Sequence, residues 1–295
     1  MPAKEELRRL IDVLSEYECS HLMKSVQDVA EGERFWEGDF GLLYDEYTKL
    51  RYFKIGHRHP PALSAEDGAF LPIPIVKSYL NAERLPLPNS KPLSATITDV
   101  LMHRRSQRDY SRTAISAIHL STLLHHACGV TAFVPAYGYT RLPLRTFPSH
   151  GGLQAPEVYL SVQAVDGVPP GIYHYHAIDH VLETLNPGDH SQRLSTLAFD
   201  EHYVARAAVV FLITGYYERL RWKYGQRSYR FMCMDVGFLG QNLYLVSEAL
   251  GLGACAVSGF AHDSFEKVLG IDGKEEIALL LMTVGSRQSE EIAES

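Results

Sequence analysis

The feature that most constrains this chain is an irregular alternation of short apolar runs with longer amphipathic ones. Residues 158–165 and 207–216 are β-branched, apolar and of strand length, and residues 254–258 and 277–284 fit two shorter strands. Residues 172–185 read as a hairpin that turns near Asp179. The longest helix candidate is 231–250, stopped by Gly251, and a second runs from the N-cap Ser116 through Ala127 with Gly129 placed to end it. A short helix is expected over 94–103. Because strands and helices do not alternate regularly, the pattern predicts an α+β fold, with helices packed around a mainly antiparallel central sheet.

Two N-terminal stretches differ from the rest. Residues 5–28 place Leu7, Leu10, Ile11, Leu14 and Tyr17 at helical spacing, a stripe suited to docking on the protein's own core or, alternatively, on a partner. Residues 58–94 are rich in proline and lack period, and are expected to be an extended surface connector. There is no internal repeat or low-complexity segment.

Composition excludes several classes. A chain of 295 residues with 46% hydrophobic residues can bury one large core or two modest ones. A net charge of -7 without a basic block argues against nucleic acid. The start lacks an apolar signal region and no apolar run could span a bilayer, so a cytoplasmic protein without a membrane segment is expected. Cys19, Cys128, Cys233 and Cys255 are too far apart for a disulfide framework or zinc site and read as buried or inert thiols. The histidine pairs His57/His59, His125/His126 and His174/His176 lack a Cys or carboxylate at ligand spacing and read as surface residues, so no metal is expected.

Several segments carry chemistry. Residues 104–110, RRSQRDY, bring Arg104, Arg105, Arg108 and the hydroxyl of Ser106 together after a short helix. Guanidinium forks match phosphate oxygens, although a solvated charge run has the same spacing. In residues 145–159, RTFPSHGGLQAPEVY, Pro148 fixes the chain and Gly151 and Gly152 let backbone approach a flat ligand, or simply make a turn before a strand. In residues 221–231, RWKYGQRSYRF, Lys223 stands beside Tyr224. A phenol has a pKa of about 10, and a neighbouring ammonium favours the phenolate, so the two could act as one base; a surface turn is the plain alternative. Gln241 and Asn242 interrupt an apolar helix and must find hydrogen-bond partners. Residues 251–256 match the dinucleotide fingerprint GxGxxA, but a helix precedes them and a strand follows, so the glycines read as a helix C-cap.

Taken together, residues from about Tyr44 to Arg287 resemble the SagB-type, thiazole-oxidase branch of the FMN-dependent nitroreductase superfamily. The arginine segment is similar to that family's phosphate motif, in which Arg104, Arg105 and Ser106 would hold the FMN phosphate and Arg108 would reach the flavin. Pro148, Ser149 and Gly151 match its P-S-x-G stretch, Gln241 and Asn242 its Q-N-L-x-L helix beside the flavin, and Ser258 and Gly259 its G-G-F loop. Arg287 stands where the family places another phosphate-binding base, and Lys223 and Tyr224 match its catalytic pair. The resemblance divides the chain into a helical extension (1–43), an opening segment with the proline-rich connector (44–95) and an FMN-binding nitroreductase-like domain (96–295). It implies a homodimer with FMN at the interface that oxidises a thiazoline or oxazoline to the azole, with oxygen as electron acceptor.

The substrate so implied is a ribosomal or carrier-bound nonribosomal peptide, and a cyclodehydratase or peptide synthetase is the implied partner. An NAD(P)H-dependent nitro or enone reductase, and a flavin-binding docking scaffold without turnover, are the alternatives. Two positions depart from the family pattern: His150 replaces a small residue after Pro-Ser, and Ser258 stands where glycine is common.

Overall fold

The computed structural model describes residues 74–288 together with Ser20, Tyr44 and Asp45. The expected helix over 5–28, the connector before residue 74 and Cys19 lie outside the described residues. The chain divides into two units, Met1–Ala62 with Lys223–Arg227 and Leu63–Trp222 with Ser228–Ser295.

The second unit is built on a sheet. Its strands in chain order are β1 (Arg84–Pro86), β2 (Ile115–Ser116), β3 (Val130–Ala136), β4 (Tyr139–Arg145), β5 (Pro156–Val162), β6 (Val165–Asp166), β7 (Gly171–His176), β8 (Val181–Pro187), β9 (Val209–Tyr216), β10 (Leu252–Val257) and β11 (Glu276–Ser286). Seven of them form one sheet in the order β1-β8-β7-β5-β9-β11-β10, and every neighbouring pair is antiparallel. β3 and β4 make a separate hairpin that turns at Tyr137 and Gly138, both at positive φ. Between residues 74 and 288 the α-helices are α1 (Ile97–His103), α2 (Ala117–Cys128), α3 (Ser191–Leu197), α4 (His202–Arg206), α5 (Glu218–Tyr224), α6 (Ser228–Ala249) and α7 (His262–Leu269).

Strand alternation divides the core into two layers. Val158, Leu160, Phe211, Ile213, Met282 and Val284 pack with Leu120, Leu123 and Leu124 of α2 and Val236, Leu239 and Leu243 of α6. The opposite face packs Leu212, Val210 and Ala278 against Leu194, Val204 and Phe265 of α3, α4 and α7. Two glycines bring α6 onto the sheet: a Cβ at Gly215 would collide with Met232, and one at Gly240 would press on Leu280. Ser116 caps α2 through His119 N at 3.2 Å, and Gly251, at φ 71, follows α6 before β10. The helix-then-strand order around Gly251–Gly253 is the one that excludes a dinucleotide fold.

The second face also carries a polar row across five adjacent strands: Glu183 (β8), His174 (β7), Glu157 and Tyr159 (β5), Thr214 (β9) and Glu276 (β11). Residues 77–79 are tied across it. Lys77 Nζ donates to Glu276 Oε2 at 2.6 Å and to Tyr159 Oη at 2.8 Å, and the backbone N–H groups of Lys77 and Tyr79 donate to Glu157 and Glu183. Arg219 pairs with Glu157. This corrects the surface reading of His174, which is fully buried with both ring nitrogens on carboxylates. Cys128 and Cys255 are buried as expected, whereas Cys233 is exposed.

Candidate functional site

The arginine segment follows α1, whose N-cap Thr96 accepts from Asp99 N at 3.1 Å. Past the helix the chain is anchored at Tyr110, which is fully buried between β10 and β11. Its hydroxyl donates to Gln107 O and lies 2.7 Å from Thr283 Oγ1, and burial raises its pKa. Gly253 and Gly285 make the room: a Cβ on either would press into the Tyr110 ring. Gln107 N donates to Ala254 O at 2.8 Å and Ser111 N to Ser286 O at 2.9 Å, so the loop is stitched to both strands.

Two of the motif's polar groups meet at Tyr244 of α6, and a third lies at Tyr203 of α4. The Arg104 guanidinium lies 5.0 Å over the Tyr244 ring, and Ser106 Oγ is 3.0 Å from Tyr244 Oη, which itself accepts from Ala256 N. Arg105 donates to Met102 O and Arg104 O, and Arg108 lies 5.8 Å over Tyr203. Among the described residues, none of Arg104, Arg105 and Arg108 pairs with a carboxylate. Three guanidinium groups without a counter-anion, beside a hydroxyl, suit a phosphate. Arg287 comes close through its bridge to Tyr110, but its guanidinium already holds Glu248 and Leu252 O.

The 148–152 turn is held from α6. Ser149 Oγ donates to Asp235 Oδ2 at 2.7 Å and accepts from Gln154 N at 2.9 Å. His150 donates to the same carboxylate from its backbone N and from Nδ1, the latter at 2.6 Å. Its ring stacks on Phe231 at 4.1 Å and 10°. Gly151, Gly152 and Gln154 all have positive φ, at 65°, 69° and 52°. Burial pushes the Asp235 carboxyl above its ordinary value, and the donors from His150 and Ser149 work against that. Sequence reasoning missed Asp235, whose only local signal was an acid inside an apolar helix.

The other candidate residues are spread out. Gln241 is exposed on α6, and Asn242 donates to Ala127 O at 3.2 Å, a bond to backbone of α2. Ser258 and Gly259 are exposed just after β10. Lys223 and Tyr224 close α5 and belong to the first unit, with Lys223 Nζ 5.3 Å from the Tyr224 ring centre. In that unit Tyr44 Oη donates to Gln226 O at 3.1 Å. No helix among the described residues is long and apolar enough to cross a membrane.

Comparison with known proteins adds the context that geometry lacks. The sequence profile described as "Nitroreductase family" matches residues 101–286. The chain is 34% identical over 191 residues to MJ1384 of Methanocaldococcus jannaschii, which bears a nitroreductase name, covering 65% of this chain and 91% of that protein. It is 26% identical over 220 residues to the trifolitoxin operon protein TfxC of Rhizobium leguminosarum bv. trifolii, covering 69% of this chain and 59% of TfxC. Among solved structures, it resembles a chain of the Escherichia coli microcin synthetase McbBCD complex with truncated pro-MccB17 bound, at a TM-score of 0.53 and 20% identity over 82% of this chain and 87% of that one.

Proposed function

The chain belongs to the nitroreductase family, and from that membership we propose that it is a SagB-type azoline oxidase, dehydrogenating a thiazoline or oxazoline of a peptide to the azole with oxygen as final electron acceptor. Members of the family are FMN-dependent. Bound FMN supplies the acceptor for a hydride. The described residues fit its phosphate: Arg104 and Ser106 would hold it against Tyr244, with Arg105 and Arg108 adding charge and Arg287 joining them only by giving up Glu248. Pro148, Ser149, Gly151, Gln241, Asn242, Ser258 and Gly259 would border the ring system.

The observation that carries the specific reading is the Lys223–Tyr224 pair, with the ammonium 5.3 Å from the phenol ring. Aromatising an azoline removes a hydride and a proton from neighbouring carbons, so a base is needed, and Tyr224 Oη, with the Lys223 ammonium over its ring, would take the proton. The likeness to a trifolitoxin operon protein and to a microcin synthetase chain supports a peptide substrate and a biosynthetic partner such as a cyclodehydratase or peptide synthetase. The exposed apolar residues Ile97, Leu101 and Met102 of α1 and Met234 and Phe238 of α6 support a homodimer. A cytoplasmic location is part of the same reading.

One observation favours a second reading. Identity to MJ1384 is higher and spans nearly all of that protein, which supports an NAD(P)H-driven nitro or enone reductase. Incubating purified protein with an azoline peptide in air decides between them by mass spectrometry. Azoline oxidation predicts loss of two hydrogens per ring, much slower in Tyr224→Phe. An unchanged peptide together with rapid NADPH-dependent nitro reduction sinks the proposal.

A further inference from the structure

The turn between β4 and β5 and the helix α6 hold an acid–base pair that the reading above leaves unused. Asp235 is fully buried, and its two oxygens collect three donors, from Ser149 Oγ, His150 N and His150 Nδ1. A carboxylate on Nδ1 places the ring's proton there and leaves Nε2 with its lone pair. Among the described residues, Nε2 has no hydrogen-bond partner, and 26% of the His150 side chain is exposed. Phe231 closes one face of the ring, and Phe238, itself 41% exposed, lies 6.4 Å away. The imidazole is therefore fixed on one face and one nitrogen, with the other nitrogen open. It stands directly before Gly151 and Gly152, both at positive φ, with the Tyr137 hydroxyl on Gly151 O.

We propose that the Asp235–His150 pair is the acid–base group through which the proposed dehydrogenation delivers its proton to water, His150 Nε2 accepting and Asp235 fixing the tautomer. This rests on the reading of residues 148–152 as part of the flavin site. The balance is simple. One ring carbon gives up its hydrogen with the electron pair to the flavin; the C–H bond on its neighbour breaks, its electrons forming the new double bond. The proton so released ends on Nε2, whichever group first takes it from carbon, and then passes to water. A proton leaves for every hydride, so a group that can bind it and pass it to water is needed at each turnover, and the open Nε2 of a ring fixed through Nδ1 supplies one. Asp235 is a positioning residue in this scheme, because it acts only through His150.

The test has one arm that needs no turnover. In protein with ¹⁵N-labelled histidine, NMR should find His150 as the Nδ1–H tautomer above its titration, and an Nε2–H tautomer overturns the proposal. In the second arm, His150→Gln, checked for native circular dichroism and flavin content, should slow anaerobic flavin reduction by an azoline peptide by about 10²-fold. The pH limb that matches the NMR titration should vanish, and added imidazole should restore rate in the variant but not in wild type. A wild-type rate and pH profile in His150→Gln, or a loss that imidazole does not relieve, overturns the proposal. If the azoline peptide is inert and NADPH with an enone turns over, the azoline reading falls, and imidazole rescue of His150→Gln in that assay decides the pair on its own.

Discussion

Replacing His174 by leucine should cost several kcal/mol and erase the alkaline side of the protein's stability profile. The ring is fully buried on β7, with Nδ1 2.9 Å from Glu183 Oε2 and Nε2 3.1 Å from Glu157 Oε2. A neutral imidazole has one N–H, so bonding both carboxylates requires the imidazolium. Burial lowers the pKa of His174, but the hydrogen bonds it donates to Glu157 and Glu183 outweigh burial and raise the value. Burial raises Glu157 and Glu183 in turn, but Arg219 and His174 hold Glu157, and His174 and the Tyr79 N–H hold Glu183, below the usual carboxylate range.

Removing one member of a buried ion pair costs about 3–5 kcal/mol, and Arg219 on Glu157, with Arg84 3.7 Å from Glu183, holds His174→Leu to the lower end of that range. The sign follows from proton counting. Above pH ~6.5, where the unfolded histidine has lost its proton and the folded one has not, the native state binds more protons and stability falls with rising pH until the folded pKa is passed. The depressed glutamates act in the opposite sense, their contribution being lost as pH falls below the ordinary carboxylate range. Urea unfolding at pH 5.5, 7 and 9 should show His174→Leu weaker at the two lower values and nearly flat on the alkaline side. A cost below about 1 kcal/mol, or an alkaline slope equal to wild type, refutes the imidazolium.

Other outcomes test the cofactor site. Purified protein should be yellow and release FMN rather than FAD on denaturation, read by chromatography of the supernatant. Arg104→Ala should weaken FMN retention by about 1.5–3 kcal/mol, the worth of a charge-assisted phosphate contact, while Lys223→Ala leaves it unchanged in a fluorescence titration. Tyr110→Phe takes the donor from Gln107 O, while Thr283 Oγ1 keeps its bond to Cys255 O, and should cost about 1–3 kcal/mol in urea unfolding, with faster FMN loss as the arginine loop loosens.

Much of the scaffold was legible because its signals are local. The apolar run over 207–216 is β9, the hairpin over 172–185 is β7 and β8, and the helix over 231–250 is α6 within three residues at its start. The 158–165 run breaks after Val162, where the chain leaves the sheet before β6. The β3–β4 hairpin went unread because Pro135 and Pro143 interrupt it and its first strand alternates little between buried and exposed. Helices α3 and α4, of seven and five residues, are too short for a periodic stripe. In the site, the residue types of the arginine segment were legible but its anchor was not, since Tyr110 meets Thr283 across 173 residues. Asp235 stands 85 residues from His150, and Lys77 is 199 from Glu276, so neither pairing leaves a trace in local spacing.

Whether Lys223 and Tyr224 make this family flavoprotein an azoline dehydrogenase is read by mixing the FMN-loaded protein with an azoline peptide in the absence of oxygen and following the flavin absorbance. The peptide should bleach the flavin in wild type and do so about 10²- to 10⁴-fold more slowly in Tyr224→Phe with flavin content unchanged, because only the hydroxyl is lost. Bleaching by NADPH alone, none by the peptide and equal behaviour of the variant would contradict it.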